Sequence, residues 1–122
     1  MERNSIPAIS FTTDTSVLTS LSNDYSFDEI FSRQCDGLVN RVDVVIAIST
    51  SGKSKNVING LTSAKKKEAK TIGLLGKKGG DMTDLVTIPI IVDSSSTARI
   101  QEVHRVIYHI ICELIEKKLS VK

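Results

Sequence analysis

Two groups of residues in this 122-residue chain have the types and spacing for chemistry. The first is Ser49-Thr50-Ser51-Gly52-Lys53-Ser54. It leaves an apolar run, turns at a glycine and opens a helical pattern. Gly52 permits close backbone approach. The helix that follows offers free N–H groups and a partial positive charge, and the hydroxyls add donors. That combination suits a bound phosphate; without a ligand it is a polar loop with a helix cap. A competing motif crosses the same residues. Ala47 to Ser54 nearly matches the nucleotide loop G-x-x-x-x-G-K-[ST], and Ile90-Ile91-Val92-Asp93 imitates its magnesium-site strand. Ala47 stands where that loop needs its first glycine, which weighs against nucleotide hydrolysis.

The second group lies near the C-terminus. Gln101 and His109 are eight residues apart, about 80° around a helix axis and two turns along it. Arg105 and Tyr108 share their broad side, while His104 points elsewhere. Histidine changes charge near neutral pH, which suits acid–base work, although a lone helical histidine more often sits on the surface or is satisfied in a core. A metal between Gln101 and His109 needs side chains reaching along the helix, or ligands from another subunit. Cys35 and Cys112 form neither a disulfide framework nor a metal knuckle. Cys112 continues an apolar stripe and is expected in the core. Lys65-Lys66-Lys67 reads as a solvated helix end.

These residues need elements to position them. The chain has the length of one small domain. Sixteen basic and fourteen acidic residues leave a formal charge of +2, too little for a nucleic-acid coat. Aromatics are 4% and tryptophan is absent, so the core is aliphatic and base-stacking platforms are not expected. No apolar run approaches the roughly 18 residues of a membrane span, and no cleavable signal follows Met1. No nucleic-acid or membrane partner is expected, and a reducing cytoplasm is the simplest compartment.

Val44-Val45-Ile46-Ala47-Ile48 is the clearest strand, apolar at every position as in a sheet covered on both faces. Further strands are expected at Ile6–Phe11, Thr71–Leu75 and Ile88–Val92, the last at an edge because of Pro89. Thr12–Thr15 caps a short helix over Val17, Leu18 and Leu21. A second helix spans Ser26 to about Leu38, with Ser26 and Glu29 as a capping box. A third runs from Lys55 to Ala69, where Gly60 costs roughly 1 kcal/mol against alanine. Met82–Val86 reads as a single helical turn. The last helix carries a long aliphatic stripe from Ile100 to Leu119. Alternating strands and helices predict an α/β fold with an open, mostly parallel sheet. Ligands of such sheets bind at the carboxyl ends of strands: Thr12–Asp14, Ser49–Ser54, Gly76–Asp81 and Asp93–Thr97.

Several stretches together resemble the bacterial phosphoheptose (sedoheptulose-7-phosphate) isomerases, a branch of the sugar isomerase, or SIS, domains. They are Ile6-Pro7-Ala8-Ile9, Thr12-Thr13-Asp14-Thr15-Ser16, Asn23-Asp24-Tyr25, Phe31-Ser32-Arg33-Gln34, Ile48 to Ser54, and Thr97 to His104. The similarity runs in order along almost the whole chain. It implies a Rossmann-like SIS fold over residues 1–122 and the aldose–ketose isomerisation of sedoheptulose 7-phosphate to D-glycero-D-manno-heptose 7-phosphate, for lipopolysaccharide or capsule heptose. By resemblance Ser49, Thr50, Ser51 and Ser54 hold the sugar phosphate, and Asn23 and Asp24 contact the sugar. Gln101 binds substrate or a zinc ion, and His109 is the catalytic proton donor or a zinc ligand. A homotetramer is implied as well.

The match covers the C-terminal two-thirds of the family. The family's N-terminal helices, its first strand with an Asn-Gly-Gly-Ser loop, and the helix bearing a metal-binding histidine and the glutamate base have no counterpart here. Lys53 and Lys55 stand where asparagine and proline are frequent. The 122 residues alone are therefore expected to lack isomerase activity, to leave strand edges unpaired, and to associate. Two rival readings are a noncatalytic SIS module binding a sugar phosphate or a protein, as replication-initiator-binding members do, and an inactive truncated remnant.

Overall fold

The computed structural model describes residues 4–120. Three parallel strands, β1 (Val44–Ser49), β2 (Lys70–Gly76) and β3 (Ile88–Val92), lie in the order β1-β2-β3. Ile46 pairs in register with Ile72, and Ile72 with Ile88. The four α-helices are α1 (Thr15–Asp24), α2 (Ile30–Leu38), α3 (Lys55–Lys66) and α4 (Thr97–Ser120). The open parallel α/β sheet expected from the alternating pattern is the fold observed. Pro89 does sit on an edge strand, where its missing N–H breaks no ladder.

One face of the sheet is packed by α2 and α3. Leu61 of α3 meets Ala47, Leu75 and Met82, while Cys35 and Val39 meet Ala64 and Ala69. Gly60 is used there, since a Cβ on it would stand 2.9 Å from the Cβ of Phe31; its missing side chain lets α2 and α3 approach. The opposite face receives α4, which touches β2 and β3 through buried Ile100 and His104. Side chains alternate along a strand, and Val44, Ile46 and Ile48 of β1 project toward that second face, 58%, 46% and 52% exposed. α4 does not reach them, and most of its aliphatic stripe, including Val106, Ile110 and Leu114, is exposed too.

Several expectations are corrected. Ile6–Phe11 forms no strand; residues 5–10 run without regular structure and Ile9 is exposed. Pro7 withholds a donor, and among the described residues no strand lies alongside to make a ladder. Thr12–Asp14 is consequently not a strand end but the approach to α1, whose first turn is capped by the Asp14 carboxylate accepting from Val17 N–H at 3.0 Å. The helix expected from Ser26 begins as a 3₁₀ turn over Phe27–Glu29 and becomes α-helical at Ile30. The capping box does not form: Glu29 N–H donates to the Ser26 carbonyl at 3.0 Å rather than to its hydroxyl, and the Glu29 carboxylate accepts from Ser32 Oγ (2.5 Å) and from Asn59 Nδ2 of α3 (3.2 Å). The turn expected at Met82–Val86 starts earlier, as a 3₁₀ turn over Gly80–Met82, because Gly79 and Gly80 take positive φ. Cys112 is exposed rather than in the core, since the stripe it continues is itself uncovered.

Candidate functional site

β1 ends at Ser49, and the chain turns through 50–54 into α3. The turn is closed from within. Buried Ser49 Oγ accepts from Gly52 N–H at 3.1 Å and lies 3.1 Å from Ser54 Oγ; Ser51 Oγ accepts from Lys53 N–H at 3.2 Å. Gly52 has φ +66°, a conformation a side chain would strain. The loop is also closed from outside. A Cβ on Gly52 would stand 1.9 Å from the Gly79 carbonyl oxygen, and Met82 N–H donates to the Gly52 carbonyl at 3.3 Å. Gly79 and Gly80 of the next loop thus press backbone against backbone on Gly52.

α3 opens directly after Ser54. Its first turn carries no acidic residue and no side-chain cap from Ser54, because that hydroxyl is turned toward Ser49. One N–H of the first turn is taken, Val57 donating to Asn56 Oδ1 at 2.9 Å, and the rest of the helix start keeps its positive end, with Lys53 exposed beside it. Lys55 is occupied: its ammonium lies 2.8 Å from the Asp28 carboxylate, which raises the lysine pKa. A dianion placed against this turn would meet hydroxyls, backbone N–H groups and one unshared ammonium.

Gln101 and His109 project from the outer side of α4. They flank an open groove along that helix, with Glu102, Arg105, Val106 and Glu113. Both line this groove, two turns apart along the helix, and no residue of the Ser49–Ser54 loop lines it. Asn23 and Asp24 form a third location at the end of α1, joined to each other at 3.1 Å and exposed. Their link to the Ser49–Ser54 loop is indirect, through the 3₁₀ turn at Phe27–Glu29 and the Asp28–Lys55 pair.

A zinc ion needs three or four donors of nitrogen, sulfur or carboxylate type. Among the described residues no group of three or more His, Cys, Asp or Glu is placed to hold one. Gln101 and His109 are two donors on one helix face, which is half a coordination sphere. These residues alone do not fit the metal, and no step is assigned to it.

Two features escaped the sequence reading. His104 is buried, its Nε2 3.1 Å from the Leu75 carbonyl oxygen; its position four residues after Ile100, on the same helix face, was the available signal. Gly76 is wedged between loop and helix: a Cβ there would stand 2.4 Å from the Thr50 carbonyl oxygen and 2.7 Å from the Ile100 side chain. A glycine ending a strand was legible, but its neighbours were not.

The sequence profile of the SIS domain matches residues 1–76. A phosphoheptose isomerase of Sulfurimonas denitrificans is 51% identical over 97% of this chain and 60% of its own length. One of Nitratiruptor is 53% identical over 95% of this chain and 62% of its own length. The solved structure of a phosphoheptose isomerase from Francisella tularensis superposes with a TM-score of 0.91 at 36% identity, covering 94% of this chain and 62% of that one. The chain thus spans about three-fifths of the length of the relatives it matches.

Proposed function

The chain belongs to the SIS-domain family, and from that premise we propose that it forms the phosphate-holding part of an aldose–ketose isomerase acting on sedoheptulose 7-phosphate. The product is D-glycero-D-manno-heptose 7-phosphate, a cytoplasmic precursor of lipopolysaccharide heptose. The observation that carries the proposal is the Ser49–Ser54 turn. It combines a glycine-shaped loop at a strand's carboxyl end, inward hydroxyls and a helix start that Ser54 leaves without a side-chain cap, within relatives named phosphoheptose isomerase.

Ser49, Thr50, Ser51 and Ser54 with the first N–H groups of α3 anchor the phosphate, and Asn23 and Asp24 contact the sugar hydroxyls. Moving a hydrogen between adjacent carbons through an ene-diol requires an acid and a base poised near neutral pH. His109 is the proton donor, and Gln101 on the same side orients the oxygen it protonates. Both stand on an open helix face, beside an aliphatic stripe that is exposed in the single chain. A homotetramer covers that stripe, and the base comes with the family's N-terminal segment rather than from another copy of these 122 residues.

The test is calorimetry with sedoheptulose 7-phosphate, together with NMR detection of the aldose. The 122-residue protein is expected to bind the sugar phosphate. Turnover is expected once the N-terminal segment of a relative such as that of Sulfurimonas denitrificans is added to bring the base. Absence of binding overturns the proposal. The separation of the phosphate turn from the α4 groove favours a second reading, a noncatalytic sugar-phosphate-binding module. Binding without turnover, even with the added segment, establishes that reading instead.

A further inference from the structure

We propose that His104 is a positioning residue: its Nε2–H holds the Leu75 carbonyl, and that bond sets the rotation at which α4 presents Gln101 and His109. The consequence for turnover rests on the isomerase reading; the bond itself does not.

His104 is 3% exposed, and its Nε2 lies 3.1 Å from the Leu75 carbonyl oxygen. A carbonyl only accepts, so Nε2 carries the proton. Nδ1 is then a buried acceptor, and it meets no donor. A leucine would fill the same space without the unpaired Nδ1, but it would take the donor away from the buried Leu75 carbonyl. What distinguishes it is the bond at Nε2.

That bond lands where the two halves of the site meet. Leu75 pairs in register with Ser49, the residue that opens the phosphate turn. The next residue, Gly76, lies between the Thr50 carbonyl and the Ile100 side chain. Within two residues, the end of β2 touches the phosphate turn on one side and α4 on the other. Ile100 and His104 are the buried residues of α4, so they form its seat. Gln101 stands about 60° from His104 around the axis and His109 about 140°. Both point off the seat, so a rotation of α4 about it carries both relative to the anchored phosphate. Ile100 supplies contact without direction; the hydrogen bond supplies direction, because it weakens steeply as its angle departs from linear.

Three variants separate the bond from the volume. His104→Gln places an amide N–H near the position of Nε2 and keeps the donor. His104→Asn places it near Nδ1, out of reach of Leu75. His104→Leu keeps apolar packing alone. Nitrogen–proton correlation NMR on the wild-type protein is expected to show His104 as the Nε2–H tautomer. Hydrogen exchange of the α4 amides around 100–108 is expected to be about tenfold faster in the Asn and Leu variants and near wild type in the Gln variant. With the added N-terminal segment, kcat should fall about tenfold or more in Asn and Leu with KM little changed, and return in Gln. The Nδ1–H tautomer, or equal exchange in all three variants, overturns the proposal whatever the isomerase assay gives. Equal kcat in the three overturns the positioning role. If the tautomer and exchange results hold while no turnover appears in any protein, the isomerase reading fails and the helix-setting bond stands.

Discussion

Gly52 and Gly79 meet backbone to backbone, so closely that a Cβ on Gly52 would stand 1.9 Å from the Gly79 carbonyl oxygen. The loop after β1 therefore takes its shape from the loop after β2 as well as from its own residues. In phosphate-binding turns a glycine is expected for ligand approach; here it is also needed for contact with the neighbouring loop.

Gly52→Ala is accordingly expected to be costly twice over, through the positive φ and through the collision. The conformational part alone is roughly 1–2 kcal/mol. A clear drop in melting temperature together with loss of sugar-phosphate binding in calorimetry is the expected result. An unchanged melting temperature would mean that the loops can separate freely.

Ser51→Ala with Ser54→Ala removes two hydroxyls while leaving the Ser49–Gly52 bond intact. Both sites are only partly buried, so the fold is expected to persist. Each hydrogen bond to a charged group contributes roughly 1.5–3 kcal/mol, so sugar-phosphate affinity should fall by at least tenfold. Unchanged affinity would remove these hydroxyls from the site. A companion assay for ATP hydrolysis dependent on Lys53 tests the nucleotide-loop alternative, and none is expected.

His109→Gln is expected to cut turnover of the assembled isomerase by roughly 10²–10⁴ and to leave thermal stability alone. His109 is exposed, in contact with the ring of Tyr108 at 5.1 Å between centroids. A lowered melting temperature with normal turnover would assign it to packing instead.

Burial, reinforced by the adjacent Asp36 charge, pushes the Cys35 thiol up to about 11, from an ordinary value of 9.0. The fold favours the protonated thiol, so the unfolded chain releases this proton first as pH rises. Cys35 therefore subtracts stability between about pH 9 and 11 and has no such effect below pH 9. At pH 8 iodoacetamide should label exposed Cys112 well before Cys35, as read by peptide mass spectrometry. Equal labelling rates would show that the α2–α3 core opens easily.

Ile110→Asp with Leu114→Asp places two charges on the exposed stripe of α4. If copies associate through that face, sedimentation should show a shift to a smaller species with the circular dichroism spectrum kept. Unchanged association would direct the oligomer contact elsewhere, such as the open edge and exposed face of β1.

By itself the sequence determined most of the local elements and the Ser49–Ser54 turn. β1 was legible because five consecutive apolar residues have few alternatives, and the turn because hydroxyls, a glycine and a helix start are contiguous. The eight-residue spacing similarly put Gln101 and His109 on one side of α4. What the tertiary structure decided is how separate segments meet. Whether Ile6–Phe11 becomes a strand depends on a neighbour to complete its ladder, and among the described residues none lies beside it. Whether Glu29 closes a cap depends on Asn59, thirty residues away. The stripe on α4 fixed a helix but not which residues it buries, and contact with β2 selected Ile100 and His104. Periodicity records the face a helix offers; packing decides how much of that face another element covers.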